Sequence, residues 1–143
     1  MAIPIEKTKV GVLVPPQLKD NGEPSGLTYI DTKGYKHLRV YIVTGTTDIA
    51  TTAAPKLQEC DTSGGSYADI TSAALADAIA DDEDDKAFVI DVDLTKNRKR
   101  YIKCLITAGN GSTGTNLALL GILSRPDSGT IDVDAGATEL ISV

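Results

Sequence analysis

Asp31-Thr32-Lys33-Gly34-Tyr35-Lys36-His37-Leu38-Arg39-Val40-Tyr41-Ile42-Val43-Thr44-Gly45 is the stretch whose reading decides the fold of this chain. It opens on a turn, with Gly34 supplying the backbone freedom that a tight reversal needs. Beyond Gly34, Leu38, Val40 and Ile42 alternate with His37, Arg39, Tyr41 and Val43. Strict period-two alternation marks a strand with one face buried and the other open to solvent or a partner. The expectation is that Leu38, Val40 and Ile42 enter the core while Arg39 and Tyr41 face outward.

Similar segments recur on both sides. Lys9 to Val14 is a short apolar run closed by Pro15 and Pro16, which suits an edge strand or a segment reaching a neighbouring subunit; Val10 and Val12 are its candidate contact residues. Thr28 to Asp31 is a short extended piece. Thr46 to Ala54 reads as an exposed loop of small residues, and Pro55 to Asp61 as a strand with proline at its first position. Ser66 to Ile70 gives another short strand. Thr71 to Ala80 places Ala74, Leu75, Ala78 and Ile79 on one helical face, with Ser72 as a cap, and predicts one short helix or helical turn. Ala87 to Asp93 and Tyr101 to Thr107 alternate again, the first directing Phe88, Ile90 and Val92 inward, the second Ile102, Cys104 and Ile106. Gly109 to Thr115 reads as a flexible hairpin loop. Leu117 to Leu123 is apolar on both faces, as in a central strand or one covered by another subunit. Weak strands follow around residues 130–133 and 139–143.

Seven or more short strands with one short helix describe an all-β protein, an antiparallel β-sandwich or jelly roll. Its 143 residues suffice for one core domain, set at residues 28–126, with an arm at 1–27 and a strand-forming tail at 127–143. No Trp and one Phe leave the core to Val, Ile, Leu and Ala.

The formal net charge of −6 disfavours nucleic acid and anionic membrane surfaces, since both repel a negative protein. No apolar run has signal-peptide or membrane-spanning length, which predicts a protein made and kept in a cytosol. Cys60 and Cys104 then read as free, partly buried thiols.

Catalytic and metal motifs are missing. His37 is the single histidine, placed mid-strand between basic residues, and no nucleophile motif accompanies it. The acidic run at residues 81–85 fails as an EF-hand: a loop begun at Asp81 puts Lys86 at the glycine position and Val92 at that of the bidentate glutamate. It reads as a solvated loop, and no cofactor is expected. Lys96, Arg98, Lys99, Arg100 and Lys103 form a basic segment without a nucleic-acid recognition motif. Lys96, Arg98, Lys99 and Arg100 are therefore candidate contacts to a protein surface of opposite charge.

Asp31-Thr32-Lys33-Gly34-Tyr35 before its strand, Pro55-Lys56-Leu57-Gln58-Glu59, Tyr67-Ala68-Asp69-Ile70 and Lys99-Arg100-Tyr101-Ile102-Lys103 together resemble the small head proteins of tailed bacteriophages that act as capsid decoration, or cement, proteins. The resemblance spans residues 28–126. It implies a non-enzymatic β-sandwich on the outside of the virion capsid, assembled in the host cytoplasm, that bridges neighbouring major capsid proteins. It further implies a homo-oligomer, a trimer before a dimer, with the arm and the Leu117–Leu123 face at contacts. Two other readings of the chain remain: a phage tail-tube or tail-tip domain, and a carbohydrate-binding sandwich using exposed Tyr.

Overall fold

Alternation with one buried face can be satisfied only by packing sheet against sheet. In the computed structural model, which describes residues 8–126, eight strands do so: β1 (Thr8–Lys19), β2 (Tyr29–Asp31), β3 (Tyr35–Thr47), β4 (Lys56–Cys60), β5 (Ala68–Ala74), β6 (Ala87–Asp93), β7 (Tyr101–Leu105) and β8 (Thr115–Pro126). They form two antiparallel four-stranded sheets, ordered β1-β8-β3-β6 and β2-β7-β4-β5. The expected weak strands at residues 130–133 and 139–143 lie outside the described residues, as does the start of the arm.

The opening stretch is β3 with its turn. Tyr35 N–H donates to the Thr32 carbonyl at 3.1 Å, and Gly34 between them has φ +86°. Leu38, Val40 and Ile42 are fully buried, and Arg39 faces out. Each such aliphatic side chain is worth roughly 1.5–3 kcal/mol on burial. Leu57, Ile102 and Cys104 of the second sheet belong to the same core, with Ile106 just beyond β7 and Leu119 and Leu123 of β8.

β8 is central, paired with β1 on one side and β3 on the other. Gly121 of β8 stands opposite Gly11 of β1, and a Cβ on either would approach Ile30 Cδ1 to 3.0 Å. The paired glycines thus open a slot in the first sheet that Ile30 of β2 fills from the second.

Several expectations need correction. The short helix over Thr71–Ala80 does not form; among the described residues there is no helix. Strand β5 runs on to Ala74, which stands opposite Lys56 of β4, and Leu75 N–H donates to the Pro55 carbonyl at 2.9 Å. Ser72, at φ +64°, inserts an irregularity that sends Ile70 and Ala73 into the core. Alanine favours a helix, but the ladder that β4 offers to residues up to Ala74 overrides that local preference. Pro15 and Pro16 do not stop β1, because two register shifts between Val12 and Gln17 carry them through an edge position where amide donors are dispensable.

The Thr46–Ala54 segment is also less open than expected. Thr47 and Thr51 are buried, with Thr51 Oγ1 accepting from Ile79 N–H at 2.9 Å. The Gly109–Thr115 loop, expected to be flexible, is tied down. Asn110 Oδ1 accepts from the Ser112 and Thr113 amides at 3.0 and 2.8 Å, and Gly111 N–H donates to the Asp20 carbonyl at 2.7 Å.

Candidate interaction surface

The outward residues of β3 gain meaning only beside their neighbours. Register places Val12, Leu120, Tyr41 and Val89 in one row across β1, β8, β3 and β6. The adjoining rows bring Val10 beside Ile122 on one side and Ala118, Val43 and Ala87 together on the other. Val12, Val43 and Val89 are 52%, 39% and 44% exposed, more than sheet valines facing a core would be. With strands about 4.8 Å apart and same-face residues about 7 Å apart, these rows cover on the order of 300–400 Å². That is the size of the largest apolar patch on an ordinary single-chain protein, a patch that is often functional.

The far end of the same face is polar. Arg39 of β3 holds Asp91 of β6 through two bonds, at 2.7 and 3.2 Å. That guanidinium keeps the Asp91 carboxyl below its usual range, and its own pKa rises in return. His37 lies between Ser124 Oγ at 3.2 Å and Asp91 Oδ1 at 3.3 Å. It is a surface strand residue, as the sequence indicated, and in the structure it joins three strands.

Val10 and Val12 therefore sit within the apolar rows. The basic segment is elsewhere, on the β6–β7 connection, and its cations are largely engaged within the chain. Arg98 meets Glu59 at 3.7 Å, Lys99 Nζ meets Asp61 at 3.4 Å, and Arg100 grips Asp31 with two bonds of 2.8 and 2.7 Å. Lys99 N–H also donates to Glu59 at 3.0 Å, and Lys96 contributes to lowering the Asp93 pKa behind the main cause, a bond from Thr95. These residues fasten the connection to the ends of β2 and β4.

The acidic run is likewise knitted into the fold. Asp84 Oδ1 accepts from both the amide and the hydroxyl of Thr47 at 2.7 Å, which lowers its pKa. Thr44 Oγ1 donates to the Glu83 carbonyl at 2.6 Å. Among the described residues, no three His, Cys, Asp or Glu side chains converge as a metal site would require. Cys60 and Cys104 are both free and buried.

Reading residues one strand at a time marks Tyr41 and Val89 as outward but misses Leu120 and Ile122 as their neighbours. The signal available was the two-faced apolarity of Leu117–Leu123, which left a central and a covered strand as alternatives. β8 is central, with its outward side chains half-buried.

Fold and surface together define an antiparallel β-sandwich that presents one largely apolar sheet face. No family model and no curated protein matches the sequence. Among solved structures the chain is similar to the SPBc2 prophage-derived protein YomS, with 14% sequence identity and a TM-score of 0.50, over 87% of this chain and 99% of that one. That likeness is one of fold.

Proposed function

We propose that this protein is a non-enzymatic structural component of a phage particle that docks on the outer surface of the capsid and stabilises contacts between major capsid proteins. The observation that carries the reading is the apolar face running across β1, β8, β3 and β6. Water-exposed Val12, Val43 and Val89 cost nothing to folding but gain roughly 25 cal/mol for each Å² a partner covers. The sequence resemblance to decoration proteins and the fold shared with a prophage-derived protein support the same reading. Val10 and Val12 belong to the docking face, and the basic segment serves mainly to rigidify the sandwich. A homo-oligomer, trimeric before dimeric, would multiply a modest single-copy contact through avidity.

The test is co-sedimentation of the protein with purified phage capsids that lack it. The double variant Val12→Asp/Val89→Lys changes two outward side chains, so its urea midpoint should hold while capsid occupancy falls at least about tenfold. Full occupancy by the variant, or electron micrographs placing labelled protein on tails, would overturn the assignment.

A further inference from the structure

The outer face of the second sheet differs in kind from the first, for three of the five tyrosines gather there. A groove of about 420 Å³ runs between the 23–29 loop and the 63–67 turn, bordered by Glu23, Thr28, Tyr29, Ser63, Tyr67 and Lys103. Its volume falls within the range of small-molecule sites.

Its walls are held in place before any ligand arrives. Tyr29 is 40% exposed, and its ring meets the edge of Tyr101 at 5.1 Å, almost perpendicular at 83°. Tyr101 lies in turn beneath the Arg100 guanidinium at 5.0 Å, which Asp31 fixes. The Lys103 ammonium sits 4.7 Å above the Tyr67 ring, and the Tyr67 hydroxyl donates to the Ser63 carbonyl at 3.1 Å. The 23–29 loop is clamped to β1 by the amide of Gln17, which accepts from Ser25 N–H at 2.9 Å and donates to the Ser25 carbonyl at 2.7 Å. Thr28 N–H donates to the Leu13 carbonyl at 3.0 Å. A wall fixed in this way loses little freedom when a ligand binds.

From this geometry we propose that the groove binds a neutral pyranose ring, as a free sugar or a glycan terminus. Partly exposed tyrosine rings offer apolar surface to the C–H face of a sugar. Glu23 and Lys103 place one acceptor and one donor of opposite charge on the rim, with the hydroxyls of Ser63 and Thr28 between kinds. Those charges cancel, which suits a ligand rich in hydroxyls and without net charge. The site goes beyond the docking role and opens on the opposite sheet.

The full chain, labelled with nitrogen-15, would be titrated with the methyl glycosides of glucose, galactose, mannose and N-acetylglucosamine and followed by amide chemical shifts. At least one glycoside should give saturable shifts centred on Tyr29, Tyr67 and Lys103. Tyr29→Ala should weaken that binding about tenfold or more. Glu23→Gln and Ser63→Ala, both at exposed positions, give a second reading should Tyr29→Ala fold poorly, and each should weaken binding measurably. Val12→Asp/Val89→Lys should leave it unchanged. Absence of shifts with all four glycosides overturns the proposal, as does a response only to a tetraglutamate peptide, which would make the groove an acidic-peptide site.

Discussion

Replacing Gly121 with alanine probes the slot through which the two sheets interlock. Gly121 has an ordinary strand φ, so alanine meets no backbone penalty, and the effect must come from the new methyl group. That Cβ would lie 3.0 Å from Ile30 Cδ1, 3.5 Å from Leu38 Cδ1 and 3.6 Å from Leu13 Cδ1. Only the first contact is tighter than ordinary van der Waals packing, so Ile30 must give by a few tenths of an ångström. Overpacking of this degree costs about 1–3 kcal/mol. Restricting the unfolded chain returns about 0.4–1 kcal/mol. A net loss of about 0–2.5 kcal/mol follows for Gly121→Ala.

Ile30→Val deletes the very atom that blocks the alanine, at about 0.5–1.5 kcal/mol for the lost methyl in a well-packed site. If the slot is as described, the double variant Ile30→Val/Gly121→Ala should be more stable than the sum of the single losses predicts, by about 1 kcal/mol, because the added methyl fills the space the deleted one leaves. Urea unfolding of all four proteins, with unchanged m-values confirming a common unfolded state, measures this coupling. Losses additive to within about 0.5 kcal/mol would show that Ile30 does not occupy the glycine slot and refute the packing account.

Other outcomes follow from the same structure. Gly34→Ala meets no atom within 4 Å and should cost only the left-handed backbone, about 1 kcal/mol. Gly109→Ala has the same φ problem plus a Cβ 1.9 Å from the Asp20 carbonyl carbon, so its loss in urea unfolding should exceed about 2 kcal/mol; near-equal losses would contradict the tied loop. Asp31, Asp69, Asp84, Asp91 and Asp93 all have lowered pKa values, through Arg100, Lys56, Thr47, Arg39 and Thr95 respectively. Their folded-state values lie below the unfolded one near 3.9, so stability is fully present above about pH 5 and falls as the pH drops through the folded values. Urea midpoints taken down this acid range should show that decline, and Asp31→Asn should make it shallower; a midpoint independent of pH would remove these pairs as a source of stability. Burial pushes the Cys104 thiol up to about 12, so alkylation of the native protein followed by mass spectrometry should leave it unlabelled, and rapid labelling would show the core to be open there.

What could be read from residues alone was whatever depends on one strand at a time. The alternation of Leu38, Val40 and Ile42 identifies the buried face of β3 because a slip of one residue would expose all three. Phe88, Ile90 and Val92 of β6 follow the same rule, as do Ile102 and Cys104 of β7. The misreading of Thr71–Ala80 came from treating a segment apart from its partner: alanines fit a helix or a strand, and β4 decides between them. The basic segment shows the same limit. Lys99 and Arg100 stand out in composition, but their partners Asp61 and Asp31 are distant in sequence and meet them only after folding. The apolar face lay furthest from view, since Val12, Tyr41, Val89 and Leu120 become one row only when four strands take their register.

The inner faces of both sheets must satisfy one requirement, a dry aliphatic core, and so carry little information about what the protein meets. The outer faces are released from that requirement and have diverged. On the first, Val12, Tyr41, Val89 and Leu120 line up beside the Arg39–Asp91 pair, a surface that gains from exclusion of water. On the second, Tyr29, Tyr67 and Lys103 border a groove whose walls are fixed by Gln17 and Arg100, a surface shaped as a cleft rather than a flat face. They are joined through β1, whose Gln17 and Leu13 carbonyl hold the 23–29 loop, and through Ile30, which sits next to Tyr29 in β2 and fills the gap behind Val10 and Val12 left by Gly11 and Gly121. A side chain locked in one close-packed position transmits no choice between states. A partner covering the first sheet would therefore leave the groove on the second accessible.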